Sequence, residues 1–345
     1  MPQPLAHPVP AMSRAIVLAR HPCGTLRDGD LQLVEQPVPA PRAGMVLVRN
    51  HSFRVSASTR QLIDASAVVH LGVPFPPVKV GDTLRGAAIG HVIDADPQAG
   101  IERGSLVVHS YGWREYASVS AAVCRLIPDG SDAATVLGFG STAYAALTRG
   151  VHVTPGAVVL VTAGGGAIGS MSGQIARQLG AGRVLGTTSS PTKAQRLVDE
   201  LGYDAALIRD PDGHIHAELA RKAPDGLDII VDNVGGVQLA DAIKSARPDA
   251  QAVLLGGLSG QVGNSEDAIT IDAAVIQTRK LTVRGYSADD DPDTEDEWLT
   301  RSQAWIDSGQ MTLAHERITG IDNALNALRD LVAGRYVGVV LVELP

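Results

Sequence analysis

The sequence has 345 residues, 45% of them hydrophobic and 19% charged, which predicts a folded protein of about two domains. Its formal net charge of -8 and its scattered lysines and arginines lack the basic footprint of proteins that bind nucleic acid or anionic membranes. The only two cysteines, Cys23 and Cys124, are too few for a disulfide framework or a four-thiolate zinc site. No apolar run approaches the roughly 20 residues that span a bilayer, and we therefore expect a cytoplasmic protein.

The N-terminal part of the sequence predicts a tail followed by a β-rich domain. Residues 1–14 contain four prolines and predict a flexible tail. Over residues 15–130, short β-rich runs are separated by Pro, Gly and Asp, which predicts a mostly antiparallel, barrel-like domain. The runs are AIVLA (15–19), LQLVEQ (31–36), MVLVRN (45–50), AIGHVIDA (88–95), SLVVHS (105–110) and EYASV (115–119).

From residue 131 to residue 310 strands and helices alternate, which predicts an α/β domain with a parallel sheet covered on both faces. One helix is well signalled, since Ser190 can cap it, Pro191 suits its first position and Gly202 can end it. The predicted strands are AVVLVT (157–162), RVLGTT (183–188), AALI (205–208), DIIVDN (228–233), AVLLGG (252–257) and LTVRGY (281–286).

The last part of the sequence, residues 311–345, ends in another predicted strand, YVGVVLVEL (336–344). We expect this strand to return to the first domain. The acidic run at 289–297 is interpreted as a solvated loop leading into a helix rather than a metal site, because nothing fixes a ligand geometry there.

The segment VTAGGGAIGS (161–170) carries the strongest functional signal. Gly164, Gly166 and Gly169 form G-x-G-x-x-G after a predicted strand and before a predicted helix. Such glycines allow a tight turn, close approach of the backbone to a pyrophosphate and close packing of the helix on the strand. The segment therefore predicts a dinucleotide site, whereas a nucleotide-hydrolysing loop would need Lys at Ser170.

The end of the next predicted strand indicates which dinucleotide binds. NAD sites place Asp or Glu there, about 20 residues after the turn, to bind the ribose 2′-hydroxyl. Here the stretch is GTTSSPTK (186–193), without a carboxylate; Ser189 and Ser190 can donate hydrogen bonds, and Lys193 can reach a 2′-phosphate. The sequence favours NADP(H) over NAD(H).

Several segments together resemble the zinc-independent medium-chain dehydrogenase/reductases, most closely the branch of leukotriene B4 12-hydroxydehydrogenase, prostaglandin reductase and curcumin reductase. They are LRGAAIGHV (84–92), YGWREYA (111–117), GSTAYAAL (140–147), VTAGGGAIGS (161–170), KAQRLVDELGYD (193–204), VDNVGG (231–236) and LVAGRYVGVVLVEL (331–344). The resemblance implies a GroES-like barrel made from both ends of the chain, an inserted Rossmann domain, a homodimer, and NADPH-dependent reduction of a C=C bond conjugated to a carbonyl. Zinc-dependent relatives need a Cys and a Gly-His-Glu segment; IGHVID around His91 lacks the Glu, so no metal ligand is predicted.

The resemblance also assigns cofactor contacts. Thr142 matches a residue near the nicotinamide, although it could instead cap its helix, and Asn233 matches a position beside the cofactor, although it could cap a strand end. Arg209 stands where relatives carry a Tyr, and Tyr336 where they carry an Asn. The full set of predicted cofactor residues is Thr142, Gly164, Gly166, Ala167, Ile168, Gly169, Ser189, Ser190, Lys193, Arg209, Asn233, Gly257, Tyr286 and Tyr336.

The substrate side departs from the family. Gln261 and Ser58 replace tyrosines of the relatives, while Arg60 is retained. Tyr111 lies in an aromatic cluster that could line a substrate cleft or pack the barrel core. The predicted catalytic residues are therefore Gln261, Tyr111 and Arg60. The predicted activity is NADPH-dependent reduction of an enone or enal; the alternatives are a quinone oxidoreductase and a diverged NADPH-binding protein with lost or redirected chemistry.

Overall fold

The computed structural model describes residues 9–64, 78–257, 270–287, 291 and 293–345. Within them the chain forms two compact units. The first holds the described residues up to Leu137, with Glu316–Arg335 and Val340–Pro345; the second holds Gly138–His315, less its undescribed residues, and Tyr336–Val339. No helix in the described ranges has both the length and the apolar character needed to cross a membrane.

The first unit is built on antiparallel strands. Strands β1 and β2 form a hairpin, and β3 lies between β15 and β4 in a larger sheet that also contains β5, β6, β7 and β14. The final strand thus pairs with the first-domain strand β3, as predicted. The bounds are β1 Met12–Leu18, β2 Leu31–Pro37, β3 Met45–Val55, β4 Ala88–Ala95, β5 Leu106–His109, β6 Tyr116–Ser120, β7 Arg125–Leu126, β14 His315–Thr319 and β15 Val339–Glu343.

The second unit contains a six-stranded parallel sheet in the order β10-β9-β8-β11-β12-β13. Numbered from β8, this is the 3-2-1-4-5-6 order of a Rossmann fold, in which ligands bind at the carboxyl ends of the strands where the order reverses. That reversal lies between β8 and β11. The bounds are β8 Val158–Val161, β9 Arg183–Thr188, β10 Ala205–Ile208, β11 Leu227–Asp232, β12 Ala246–Leu254 and β13 Thr282–Gly285.

Ten α-helices lie in the described residues, and a π-helical turn at Ala146–Gly150 follows the third. The helix predicted after GTTSS has the expected ends: the Ser190 hydroxyl accepts the Lys193 N–H, Pro191 is the first residue and Gly202 ends it in a left-handed conformation. The bounds are α1 Ser58–Leu62, α2 Ala133–Val136, α3 Gly140–Ala145, α4 Gly169–Gln178, α5 Pro191–Leu201, α6 His216–Lys222, α7 Gly236–Lys244, α8 Ala273–Arg279, α9 Thr294–Asp307 and α10 Ala324–Val332.

Three boundaries differ from the sequence prediction. The predicted tail extends too far, because β1 begins at Met12 and pairs with β2; residues 1–8 lie outside the described part. The first unit continues to Leu137, since Asp132 caps α2 and pairs with Arg317 of the same unit. The second unit continues to His315, because Met311 is buried in its core.

Candidate functional site

The turn between β8 and α4 is bonded to the neighbouring strand β9. The backbone N–H groups of Ala163 and Gly164 donate to the hydroxyl and the carbonyl oxygen of Thr187, each at 2.9 Å. Ala163 has a left-handed backbone with φ of 49°, and such conformations in non-glycine residues concentrate at functional sites. The turn therefore has a defined conformation of its own.

Each glycine of the motif lies so close to backbone atoms that an added side chain would be crowded. A Cβ on Gly169 would lie 2.2 Å from the carbonyl oxygen of Ala163, and one on Gly164 would lie 3.1 Å from the Cα of Gly186. A Cβ on Gly166 would lie 3.2 Å from the same Ala163 oxygen. The predicted close packing of the helix on the strands is confirmed.

The start of α4 presents unpaired backbone donors. Gly166 and Ser170 use their N–H groups within the turn. Within the described residues, the N–H groups of Ala167, Ile168 and Gly169 donate to no acceptor. Consecutive free N–H groups at a helix N-terminus form an anion site, because the helix dipole adds positive potential there. All three belong to the set of cofactor residues predicted from the sequence.

Tyr203 supports this turn and was missed by the sequence analysis. Its hydroxyl donates to the Gly169 carbonyl oxygen at 2.6 Å, and its ring fills the space where side chains on Gly173 and Gly186 would lie. Burial raises the pKa of the phenol, so the hydroxyl stays protonated as a donor. The aligned glycines on α4 and β9 were the available signal, but their partner could not be identified from spacing.

Polar side chains connect the carboxyl ends of β8 and β11. The Thr162 hydroxyl donates to Asp232 at 2.8 Å and accepts the backbone N–H of Asn233 at 2.8 Å. Burial raises the pKa of the Asp232 carboxyl, while hydrogen bonds from Thr162 and Gly235 act in the opposite direction. The Asn233 Nδ2 donates to the Thr162 carbonyl oxygen, but its buried Oδ1 has no partner among the described residues. An acceptor at the reversal of strand order is thus left for a ligand.

The side chains predicted to bind a 2′-phosphate lie at the carboxyl end of β9 and β10. Ser189 and Arg209 are exposed, and Ser190 caps α5 with its hydroxyl. The Lys193 Nζ donates to the Tyr336 carbonyl oxygen at 2.7 Å, which leaves two of its three hydrogens for a further acceptor. Burial lowers the pKa of Lys193, and a bound anion would favour its charged form.

The segment Tyr336–Val339 packs against the turn, which the sequence did not predict. The Gly338 N–H donates to the Gly165 carbonyl oxygen at 2.9 Å, and Val337 is buried in the core of the Rossmann unit. Gly338 has φ of 83°, and a Cβ there would lie 1.9 Å from the Ala314 carbonyl oxygen. Glycine is therefore required at position 338 by this close approach.

Thr142 lies in the first turn of α3. The N-cap of that helix is Phe139, and no side chain caps it, so the alternative in which Thr142 acts as the cap is wrong. Its hydroxyl has no hydrogen-bond partner within the described ranges. It is therefore open to a ligand group.

Two other predicted cofactor residues differ in their surroundings. Tyr286 is 7% exposed, belongs to the hydrophobic core and donates its hydroxyl to Asp291 at 2.6 Å. These contacts are structural and give no support to its assignment to the cofactor. At Gly257 no atom of the described residues lies within 4 Å of the position of a Cβ, so no contact with them requires glycine there.

The aromatic cluster of the barrel unit was predicted either to line a substrate cleft or to pack the core, and its members differ in this respect. Trp113 is fully buried and packs against Phe53, so it belongs to the core. Tyr111 is half-buried and lines open cavities of about 330 and 380 Å³ in this unit. The guanidinium groups of Arg85 and Arg114 lie 5.2 and 5.7 Å from its ring centroid. The two guanidinium groups place positive charge beside this ring.

A buried histidine fixes the backbone at Tyr111. The Tyr111 N–H donates to the Nδ1 of His109 at 3.0 Å, and the Nε2 of His109 lies 3.0 Å from the Oδ1 of Asn50. Asn50 uses its Nδ2 to donate to the carbonyl oxygens of Tyr111 and Arg114, so its Oδ1 accepts from His109. Burial lowers the pKa of His109 to about 4, and the ring is held neutral with the proton on Nε2.

The other predicted catalytic residues receive no support from the described structure. Arg60 is 5% exposed; its guanidinium donates to Asp64 at 2.9 Å and to the Gly24 carbonyl oxygen at 2.6 Å. These bonds fix a loop to α1, which argues against the catalytic assignment. Ser58 is exposed and pairs with the Ser56 hydroxyl. Gln261 lies outside the described residues.

His91, the nearest sequence match to a catalytic zinc ligand, is paired with another histidine. Its Nδ1 lies 2.7 Å from the Nε2 of His51, and its Nε2 lies 4.0 Å from Asp129. In the described part of the chain, one group of three side chains is placed to share a metal ion, and it belongs to the Rossmann unit: His214, His216 and Asp241. Among the described residues this group does not include His91, and the sequence analysis missed it.

Family comparisons match most of the chain. A model described as the N-terminal domain of oxidoreductase matches residues 14–127, and one described as zinc-binding dehydrogenase matches residues 167–302. The (+)-pulegone reductase of Mentha piperita is 26% identical over 339 residues, which cover 95% of this chain and 97% of that protein. The NADPH-dependent curcumin reductase of Escherichia coli is 25% identical over 343 residues, 96% of each chain.

A solved structure shows the same fold. The crystal structure of CurA from Vibrio vulnificus in complex with NADPH superposes with a TM-score of 0.86 at 25% identity. It covers 96% of this chain and 99% of the CurA chain.

Proposed function

The chain belongs to the zinc-independent medium-chain dehydrogenase/reductases, in the alkenal reductase branch, and we propose that it reduces the C=C bond of an α,β-unsaturated carbonyl compound with NADPH. The observation that carries the proposal is the turn at 163–169, with its bonded backbone and three free N–H groups. The names of the relatives support it, since pulegone reductase, 2-alkenal reductase and curcumin reductase are among them.

The Rossmann unit fits NADPH. The free N–H groups of Ala167, Ile168 and Gly169 would hold the pyrophosphate. The orphaned Oδ1 of Asn233 is buried, and a buried acceptor without a partner is rare unless a ligand supplies the donor. The Thr142 hydroxyl offers a second polar contact, which we assign to the nicotinamide end. When bound, NADPH supplies the hydride.

The choice of NADPH over NADH is assigned to Ser189, Ser190, Lys193 and Arg209. The two cations are Lys193 and Arg209. The sequence GTTSSPTK, which includes the end of β9, contains no carboxylate that would repel a 2′-phosphate. The Lys193 ammonium is already held in place by the Tyr336 carbonyl oxygen. Such a preformed contact loses little side-chain entropy when the anion binds.

On the barrel side, we propose Tyr111 as a contact for the substrate. Its ring lies beside Arg85 and Arg114, and its backbone N–H is bonded to His109. Positive charge at this wall would stabilise the negative charge that develops on the carbonyl oxygen during reduction. Gln261 remains a predicted hydrogen-bond donor to the substrate.

The proposal is tested by mixing the protein and NADPH with a panel of enones, enals and quinones. We expect NADPH oxidation with enones or enals, and products that have gained two hydrogens at the C=C bond by mass spectrometry. Semiquinone products and no turnover of enals would instead identify a quinone oxidoreductase. Tight NADPH binding without hydride transfer to any member of the panel would identify a diverged cofactor-binding protein.

We further propose that the protein is a cytoplasmic homodimer. The family resemblance supports the dimer, and the two free cysteines support a reducing compartment. Burial raises the pKa of Cys124 to about 11, so its thiol is unreactive. Sedimentation equilibrium distinguishes the dimer, since a mass of one chain at all concentrations would contradict it.

A further inference from the structure

A pair of histidines stands at the start of α6, outside the elements assigned to the cofactor. They flank Ile215, which is 1% exposed and lies in the core of the Rossmann unit. The two imidazoles lie on the outer side, with ring centroids 5.4 Å apart. The preceding loop is closed by Asp210, which accepts the His214 N–H and donates its own N–H to the His214 carbonyl oxygen. The sequence HIH is thereby held in a fixed backbone.

A carboxylate from another helix meets both histidines. Asp241 of α7 has a side chain that is only 5% exposed, and its Oδ2 accepts the Ile215 N–H at 2.9 Å. The Nδ1 atoms of His214 and His216 lie 3.0 and 3.7 Å from the same oxygen. Donor atoms of all three side chains fall within 4.8 Å of one another.

This buried carboxylate has no ordinary cationic partner. Within the described ranges, neither a lysine nor an arginine pairs with Asp241. A carboxylate that is removed from water needs a positive charge or several donors to remain ionised. A cation bound between the three side chains would supply such a positive charge.

We propose that His214, His216 and Asp241 form a binding site for one transition-metal ion of the Zn²⁺ class. Zinc bonds of 2.0 to 2.1 Å in a tetrahedral site place neighbouring donor atoms about 3.4 Å apart, and the two distances to Asp241 lie on either side of that value. The histidine side chains are 39% and 66% exposed, which leaves room for a water ligand. Imidazole donors favour zinc or nickel over magnesium and calcium, which prefer oxygen.

The bound ion would link the loop after β10 to α7 and so act in stability rather than in hydride transfer. We expect metal-stripped protein to bind Zn²⁺ with one ion per chain in isothermal titration calorimetry, to give a Co²⁺ absorption spectrum with imidazole ligands, and to melt at a higher temperature with Zn²⁺. Mg²⁺ should not bind.

The matched variants are His214→Ala and His216→Ala, with His152→Ala as an exposed histidine of the same unit. Each of the first two should weaken Zn²⁺ binding at least about tenfold, while His152→Ala should not change it. Because both residues are at the surface, their variants are expected to fold, which circular dichroism verifies. Absence of saturable binding, or equal binding by the double variant, would show that these side chains form only an imidazole–carboxylate hydrogen bond.

Discussion

The turn at 163–169 and the stretch around Tyr111 are both fixed in advance, but by different means. In the turn, the backbone bonds to strand β9, and glycines remove every side chain that would obstruct the packing. At Tyr111, the backbone is held by hydrogen bonds to two buried side chains, His109 and, through it, Asn50. The first arrangement depends on residues close in sequence and is predictable from a motif. The second depends on side chains that are distant in sequence and can be exchanged without a change of fold. The residues that contact substrate in the barrel unit can therefore differ between relatives.

The largest expected effect concerns the backbone-defined region. In Gly169→Ala, the Cβ would lie 2.2 Å from the Ala163 carbonyl oxygen, and neither backbone can retreat without opening the turn. We expect the free energy of unfolding to fall by more than about 3 kcal/mol and NADPH binding to be lost. Chemical denaturation and calorimetry measure both. Gly285→Ala, where no atom of the described residues lies within 4 Å of the new Cβ, is the control; a stable Gly169→Ala variant that binds NADPH would refute the role of the packing.

The next effect tests the side-chain-defined region. Burial lowers the pKa of His109 from 6.5 to about 4, so between these values the unfolded chain binds a proton that the folded protein does not. Stability is therefore complete above pH 6.5 and falls as the pH approaches 4, by about 2 to 3 kcal/mol. When the free energy of unfolding is measured by denaturation across this pH range, its dependence on pH should be weaker in His109→Gln than in the wild type. The exposed His152→Gln variant should show the wild-type dependence. An identical slope for wild type and His109→Gln would contradict the neutral, buried ring.

A smaller effect separates the two cofactors. Lys193→Ala should weaken NADPH by about 1.5 to 3 kcal/mol, the value of a charged hydrogen bond, and leave NADH almost unchanged. Titration calorimetry with both cofactors measures the difference. Lys244→Ala, an exposed lysine on α7, is the control. Equal losses for NADPH and NADH would show that Lys193 does not contact the 2′-phosphate.

The smallest effect is expected at Tyr111 itself. Tyr111→Phe keeps the ring beside Arg85 and Arg114, so the free energy of unfolding should change by less than about 0.5 kcal/mol. With the best substrate of the panel, KM should rise while kcat is nearly unchanged. A fall in kcat together with an altered pH profile would identify the hydroxyl as a proton donor and not only as part of a wall.

Local signals predicted much of the fold. The strands of the Rossmann unit, the ends of α5 and the close packing of the glycine turn follow from residues a few positions apart. The contacts of Tyr203 with the glycines, and of Asp241 with two histidines, join elements whose separation no motif encodes. Arg60 was predicted to be catalytic because the family shares it. Its hydrogen bonds to Asp64 and Gly24 instead hold a loop.

The segment Tyr336–Val339 is synthesised late, yet it packs against a turn that is synthesised much earlier. All six strands of the Rossmann unit precede this segment in the chain, yet the donor to Gly165 and the acceptor for Lys193 come from it. A nascent chain that has not reached Gly338 can form the sheet, but its cofactor turn still lacks these partners. A truncation before Tyr336 should therefore impair dinucleotide binding as well as the sheet that β15 joins, and cofactor capture becomes a late event in biogenesis.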